Sequence, residues 1–208
     1  MVILKPLMLE LNKQKFNHLK IHSQYSICQG AVKIEKLKEF CKERKIQAVG
    51  LSDTSNLCGS LEFAENISKV GTQPIIGTQI NFKFEDIIGL LPLIALNEDG
   101  YKRIVELSSK SYLDNDTDTD PHCDIAELYK NNNGVLILSG SVQSFFGKLF
   151  DKGRFTEIHN IYKKISYNFV DRFYLEIQRH GDVNEKIFAK KEKFMPLVYL
   201  THQIYVVL

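Results

Sequence analysis

An α/β fold is the class this sequence predicts, and three observations predict it. Short continuous apolar runs recur along the chain, as strands covered on both faces require; Ala48-Val49-Gly50-Leu51-Ser52 and Gly134-Val135-Leu136-Ile137-Leu138 are examples. Between these runs lie stretches with apolar residues at helical spacing. The two patterns alternate over the whole length, which argues for parallel strands joined by right-handed crossover helices. Periodicity alone leaves an open sheet and a barrel equally available.

Taken in order, a strand-like stretch around Leu19 and Ile21 runs into a polar loop at residues 22–26. Ile34, Leu37, Phe40 and Cys41 then mark one face of a helix, with Lys36, Lys38, Glu39, Lys42 and Glu43 mostly elsewhere on the wheel. The strand beginning at Ala48 ends at Asp53, and Leu57, Leu61, Ala64 and Ile67 form a second helical stripe. Pro74-Ile75-Ile76-Gly77 opens a third strand, and residues 90–96 carry a fourth. Asn97 is placed to cap a helix bearing Tyr101, Ile104, Val105 and Leu107. Asp124 and Glu127 have capping-box spacing for a short helix. After the strand at 134–140, Ile158, Ile161, Tyr162 and Ile165 mark another helix. Phe173–Ile177 reads as a strand, and Pro196–Leu200 as the last one.

A chain of 208 residues is long enough for one sizeable core. Its formal net charge of +2 gives no global basic field of the kind that announces nucleic acid. The first ten residues are broken by Lys5 and Pro6 and do not form a signal peptide. No segment approaches the roughly 20 apolar residues of a membrane span, so a cytoplasmic location is expected. Cys28, Cys41, Cys58 and Cys123 form no C-x-x-C pair and read as free thiols in a reducing compartment. The alternating aspartates of residues 114–120 lack the glycine turn and distal glutamate of a calcium loop and read as a solvated surface loop.

Functional residues of parallel α/β folds gather at the C-terminal ends of strands. Lys20 and His22 stand after the first strand, Asp53 after the second, Gln79 after the third, and Glu176 and His180 after a later one. Polar residues at such places suit a metal or phosphate site, although each alone would serve equally as a cap or the start of a turn.

Five segments carry a resemblance to a known family. They are Phe16–Ser26 with Gly30–Ile34, Leu51–Phe63, Gln73–Gly77, Asn97–Tyr101 and Arg172–Gly181, in that order over roughly residues 16 to 200. Together they resemble the N-terminal PHP (polymerase and histidinol phosphatase) domain of bacterial DNA polymerase III alpha subunits. The resemblance implies a PHP-type distorted barrel of about seven βα units. Residues 16–208 would form a partial domain, incomplete at the C-terminus, and residues 1–15 an extension outside the resemblance.

In active PHP domains, His, Asp and Glu side chains at strand ends hold two or three metal ions, which activate water and clamp a phosphoester. This chain departs from that pattern. The family's His-x-His is Lys20 and His22, its Asp-His is Asp53 and Thr54, its glutamate after Ile-Ile-Gly-x is Gln79, and Leu90 aligns with a histidine. Glu176 and His180 remain, although such residues also occur in members without metal. An added lysine and a carboxylate exchanged for an amide both oppose a divalent cation. No catalytic residue and no tight multinuclear metal site are therefore expected; His22 and Asp53 are the residues best suited to any residual ion. The six positions Lys20, His22, Asp53, Gln79, Glu176 and His180 read as a vestigial site.

The resemblance further implies a structural platform that binds a proofreading exonuclease subunit within the polymerase III holoenzyme. DNA would be met only through other domains, and no membrane is implied. The family's catalytic Mg2+ belongs to a palm domain that these 208 residues do not contain, so no cofactor is expected here. The departure at residues 199–202 and the apolar run at 204–208 suggest a broken reading frame and an exposed sheet edge, hence marginal stability. A stand-alone metal-dependent phosphoesterase is the alternative from another class; it predicts His and Glu where Lys20 and Gln79 stand. A gene fragment without function is a third.

Overall fold

The computed structural model describes residues 16–116 and 118–178, residues 184, 185 and 187, and a short strand at 204–206. The helices are α1 (Ile34–Arg44), α2 (Ser60–Ser68), α3 (Glu98–Leu113), α4 (Phe145–Asp151) and α5 (Phe155–Phe169). The strands are β1 (Ala48–Thr54), β2 (Gln73–Phe84), β3 (Ile87–Ala95), β4 (Cys123–Asp124), β5 (Val135–Leu138), β6 (Phe173–Ile177) and β7 (Ile204–Val206). They build one sheet in the order β1-β2-β3-β5-β6-β7, with β4 pairing the far end of β2. The expected strand at 196–200 lies outside the described residues.

The sheet is mixed rather than all-parallel. β1 pairs β2 and β5 pairs β6 in parallel, whereas β3 runs antiparallel to both β2 and β5. The reason is local: only Glu85 and Asp86 separate β2 from β3, and two residues can close a hairpin but cannot carry a crossover. Glu85 takes a left-handed φ of 54° in this turn. Arg154, at the start of α5, grips the turn through Glu85 and through Asp86 at 2.7 Å, and Lys152 reaches Asp86 at 2.7 Å.

Two hydrophobic clusters flank this frame. The larger joins β2, β3, β5 and β6 to α3, α4 and α5 through Phe82, Leu91, Ile137, Phe146 and Ile165, among others. The smaller packs Ile34, Leu37 and Cys41 of α1 and Phe63 and Ile67 of α2 on Val49 and Leu51. Helix α4, which has no counterpart among the sequence-predicted elements, seats its first turn directly on β3. A Cβ at Gly89 would lie 2.5 Å from the Phe145 Cα, so this close approach requires glycine.

The predicted stripe of α5 is buried in full: Ile158, Ile161, Tyr162 and Ile165. Others differ. In α1 Phe40 is exposed, its ring beside the Arg44 guanidinium at 5.9 Å, because the buried arc is narrow and spans Ile34, Leu37 and Cys41. α2 starts only at Ser60 and buries Ser60, Phe63 and Ile67; Leu57 precedes it and Leu61 points to solvent. In α3, Ile104 and Leu107 are buried, while Tyr101 and Val105 lie on the exposed flank. Asn97 caps α3 as expected, its side chain accepting from the Gly100 N–H at 2.9 Å. Asp124 likewise accepts from Ala126 N–H at 2.7 Å at the head of a 3-10 helix, Ile125–Tyr129. Glu127 does not close the box. It binds Lys110, Lys130 and Arg103, and the lysines hold its pKa down at about 2.

No helix among the described residues is long and apolar enough to cross a membrane.

Candidate functional site

The first strand expected from sequence is a segment joined to the sheet by one isolated bridge, Ile21 with Leu51, while Ser23 bridges Val32 just ahead of α1. It lies along the free side of β1, where Ile21 N–H donates to Gly50 O at 3.1 Å and Ser52 N–H donates to Ile21 O at 2.8 Å. Gly50 permits this approach, since a Cβ there would stand 2.4 Å from the Leu19 carbonyl oxygen. With Ile21 paired to the sheet, alternation sends Lys20 and His22 to one face together.

On that face the chain brings together four of the six predicted residues. Lys20 Nζ lies 3.0 Å from Glu176 Oε1 in β6, with side chains 7% and 0% exposed. Gln178 also donates to Glu176 Oε1, whereas Glu176 Oε2 is buried without a hydrogen-bond partner. Gln79 Nε2 sits 3.4 Å from His22 Nε2 and donates to Thr54 Oγ1 at 3.3 Å. Ser52 Oγ is buried and unpartnered. Leu90 occupies β3 opposite Asn81 and is half-buried.

Asp53 has a different set of partners. Its Oδ1 accepts from Ser23 N–H and Ser26 Oγ, each at 2.6 Å, and its Oδ2 accepts from Ser23 Oγ at 2.7 Å. The carboxylate is thus engaged by the loop of residues 23–26. The next residue, Thr54, meets Gln79, its partner in the β1–β2 register. Ser23 and Ser26 were not among the predicted residues; their only signal in the sequence is a polar loop before a helix. His180 lies outside the described residues.

The electrostatics follow from this placement. Burial, and then the Lys20 ammonium, push the His22 ring below the ordinary imidazole range, while Asp53, Glu176 and the Ser52 backbone pull the other way. The unfolded chain therefore takes up a proton on His22 more readily than the folded chain. Stability from this group is intact above about pH 6.5 and is lost as the pH falls towards the lowered folded value. The expected result is a urea midpoint that drops between ~pH 7.5 and ~pH 5.5, with a smaller drop in His22→Gln. Equal drops in the two proteins would show that His22 does not contribute.

A multinuclear divalent centre needs several His, Asp or Glu donors turned inward. Among the described residues no three such side chains are grouped to hold an ion. An ammonium stands on Glu176, Asp53 is engaged by two serines, and Gln79 offers a neutral amide. These residues do not fit such a centre.

The mixed α/β sheet, curled so that its first segment reaches β6, is a barrel wall of the PHP type, and the PHP domain family model matches residues 18–180. The chain belongs to the PHP domain family. Its sequence is similar to DNA polymerase III subunit alpha of Caulobacter vibrioides, 35% identical over an alignment 181 residues long that covers 81% of this chain. The corresponding subunit of Rickettsia felis is 36% identical over 179 residues, or 86% of the chain. The chain spans 15% of the length of each of these relatives. Among solved structures, the “putative metal-dependent phosphoesterase” of Bifidobacterium adolescentis shares the fold. The TM-score is 0.56 at 12% identity, with 91% of this chain and 85% of that one covered.

Proposed function

We propose that this chain is the PHP region of a cytoplasmic polymerase III alpha subunit and serves there as a metal-free structural platform that binds the proofreading exonuclease. Template-directed DNA synthesis and its Mg2+ belong, in this reading, to a polymerase core outside these 208 residues. One observation carries it: where active PHP domains gather metal donors, the Lys20 ammonium is paired with Glu176 in a buried contact. A cation supplied by the protein opposes a second one from solvent.

The test is made on the 208-residue chain with Mn2+ and Zn2+ by calorimetry, bis(p-nitrophenyl) phosphate hydrolysis, and size-exclusion chromatography with the proofreading exonuclease subunit. The expected results are no stoichiometric metal, no hydrolysis above buffer, and co-elution with the exonuclease. Stoichiometric metal with matching hydrolysis would instead establish a phosphoesterase. Separate elution at micromolar concentration would remove the exonuclease role.

A further inference from the structure

We propose that the Lys20–Glu176 ion pair is an internal clasp that holds the curled sheet closed across its mouth. The inference rests on the metal-free reading above and gives Lys20 a defined task within it. The two residues are 156 positions apart in sequence. In the sheet, Glu176 sits in β6, four strands along from β1, and Lys20 lies in the segment beyond β1. No backbone pairing among the described residues joins this segment to β6; the side-chain contact does.

The segment of residues 18–23 has little else to hold it on this face. Its pairing with β1 amounts to one bridge, Ile21 with Leu51, and three backbone hydrogen bonds, at Gly50 N–H to His18 O, Ile21 N–H to Gly50 O and Ser52 N–H to Ile21 O. The Ser23–Asp53 contact anchors only its far end. His22 meets only the Ser52 backbone in β1 and the Gln79 amide in β2 at 3.4 Å, and so ties the segment to its own side of the sheet. The buried pair is the one charged contact from this segment to the opposite wall among the contacts described. Removing one member of such a pair leaves an uncompensated charge, whereas replacing both with apolar residues of similar size is close to neutral. That asymmetry makes the clasp testable.

Amide hydrogen exchange is measured on the full 208-residue chain, with Lys20→Met and Lys20→Met/Glu176→Leu variants beside the unaltered protein. In Lys20→Met, the amides of Ile21 and Ser52 are expected to exchange about tenfold faster or more, with those of Ile161 and Ile165 in α5 unchanged. The double variant is expected to recover most of the lost protection. Unchanged exchange at Ile21 and Ser52 overturns the clasp, as does an equal rise throughout the chain in both variants. Should Lys20→Met fail to fold, a folded double variant supports the clasp and an unfolded one overturns it. Chelator is added to the unaltered protein in parallel and is expected to change nothing. Faster exchange at Ile21 on chelation would mean that a metal holds the closure, and the metal-free reading falls with the clasp. Chelator-insensitive protein with an insensitive Lys20→Met variant removes the clasp alone.

Discussion

Phe146→Ala is expected to lower the unfolding free energy by about 3–5 kcal/mol. Phe146 is fully buried at the centre of an aromatic group. Its ring stacks on Tyr162 at 4.4 Å between centroids, meets Phe145 edge-on at 5.2 Å, and lies 6.4 Å from Phe173. One side chain thereby joins α4, α5 and β6, three elements that belong to the larger core. Truncation forfeits both the transfer term and the contacts of the surrounding rings, because helices fixed on either side close a cavity only in part. A domain of this size has a total stability of roughly 5–15 kcal/mol, so the loss is a large fraction of the whole. Urea unfolding of Phe146→Ala and Phe146→Leu checks it. The leucine variant, which refills part of the space, should fall between the other two proteins. A midpoint for the alanine variant within error of the unaltered protein would show that this core collapses freely.

What the sequence makes legible depends on how one-sided an element is. α5 buries Ile158, Ile161, Tyr162, Ile165 and Phe169 on a single arc, so its 3.6-residue period is clear. α2 is only nine residues long, and leucines at 57 and 61 lie before it or on its outer face, so the period read there is displaced from the true one. The antiparallel course of β3 is hidden for a different reason. Strands covered on both faces show the same apolar run whichever way they point. The informative signal is then the two-residue turn at Glu85 and Asp86, which lacks the Asn-Gly or Asp-Gly pair that marks such turns. In the candidate site, strand-end position places Lys20, His22, Gln79 and Glu176 together. The serines that engage Asp53 come from the loop of residues 23–26, and no periodicity reports where a loop side chain turns.

Asp53→Ala is the second substitution expected to have a large effect, about 3 kcal/mol or more, because three buried donors lose their acceptor at once. Asp53, Ser23 and Ser26 are each no more than 1% exposed. The Ser26 hydroxyl donates to Asp53 while accepting from Thr54 N–H at 3.1 Å, so the carboxylate also orients a group that satisfies the end of β1. Hydrogen bonds to an ionised acceptor are worth more than neutral ones, and orphaned buried donors bear the full desolvation penalty. Asp53→Asn should be milder than Asp53→Ala. Its carbonyl oxygen can still accept from Ser23 N–H or Ser26, and the Ser23 hydroxyl can rotate to accept from the new amide. Ser26→Ala removes one bond to Asp53 and the acceptor for Thr54 N–H, and should rank beside the asparagine variant. The check is a set of urea midpoints for the three variants at one pH. An alanine variant that loses less than about 1 kcal/mol would mean that water replaces the carboxylate in that loop, and the serines would then owe their burial to packing rather than to Asp53.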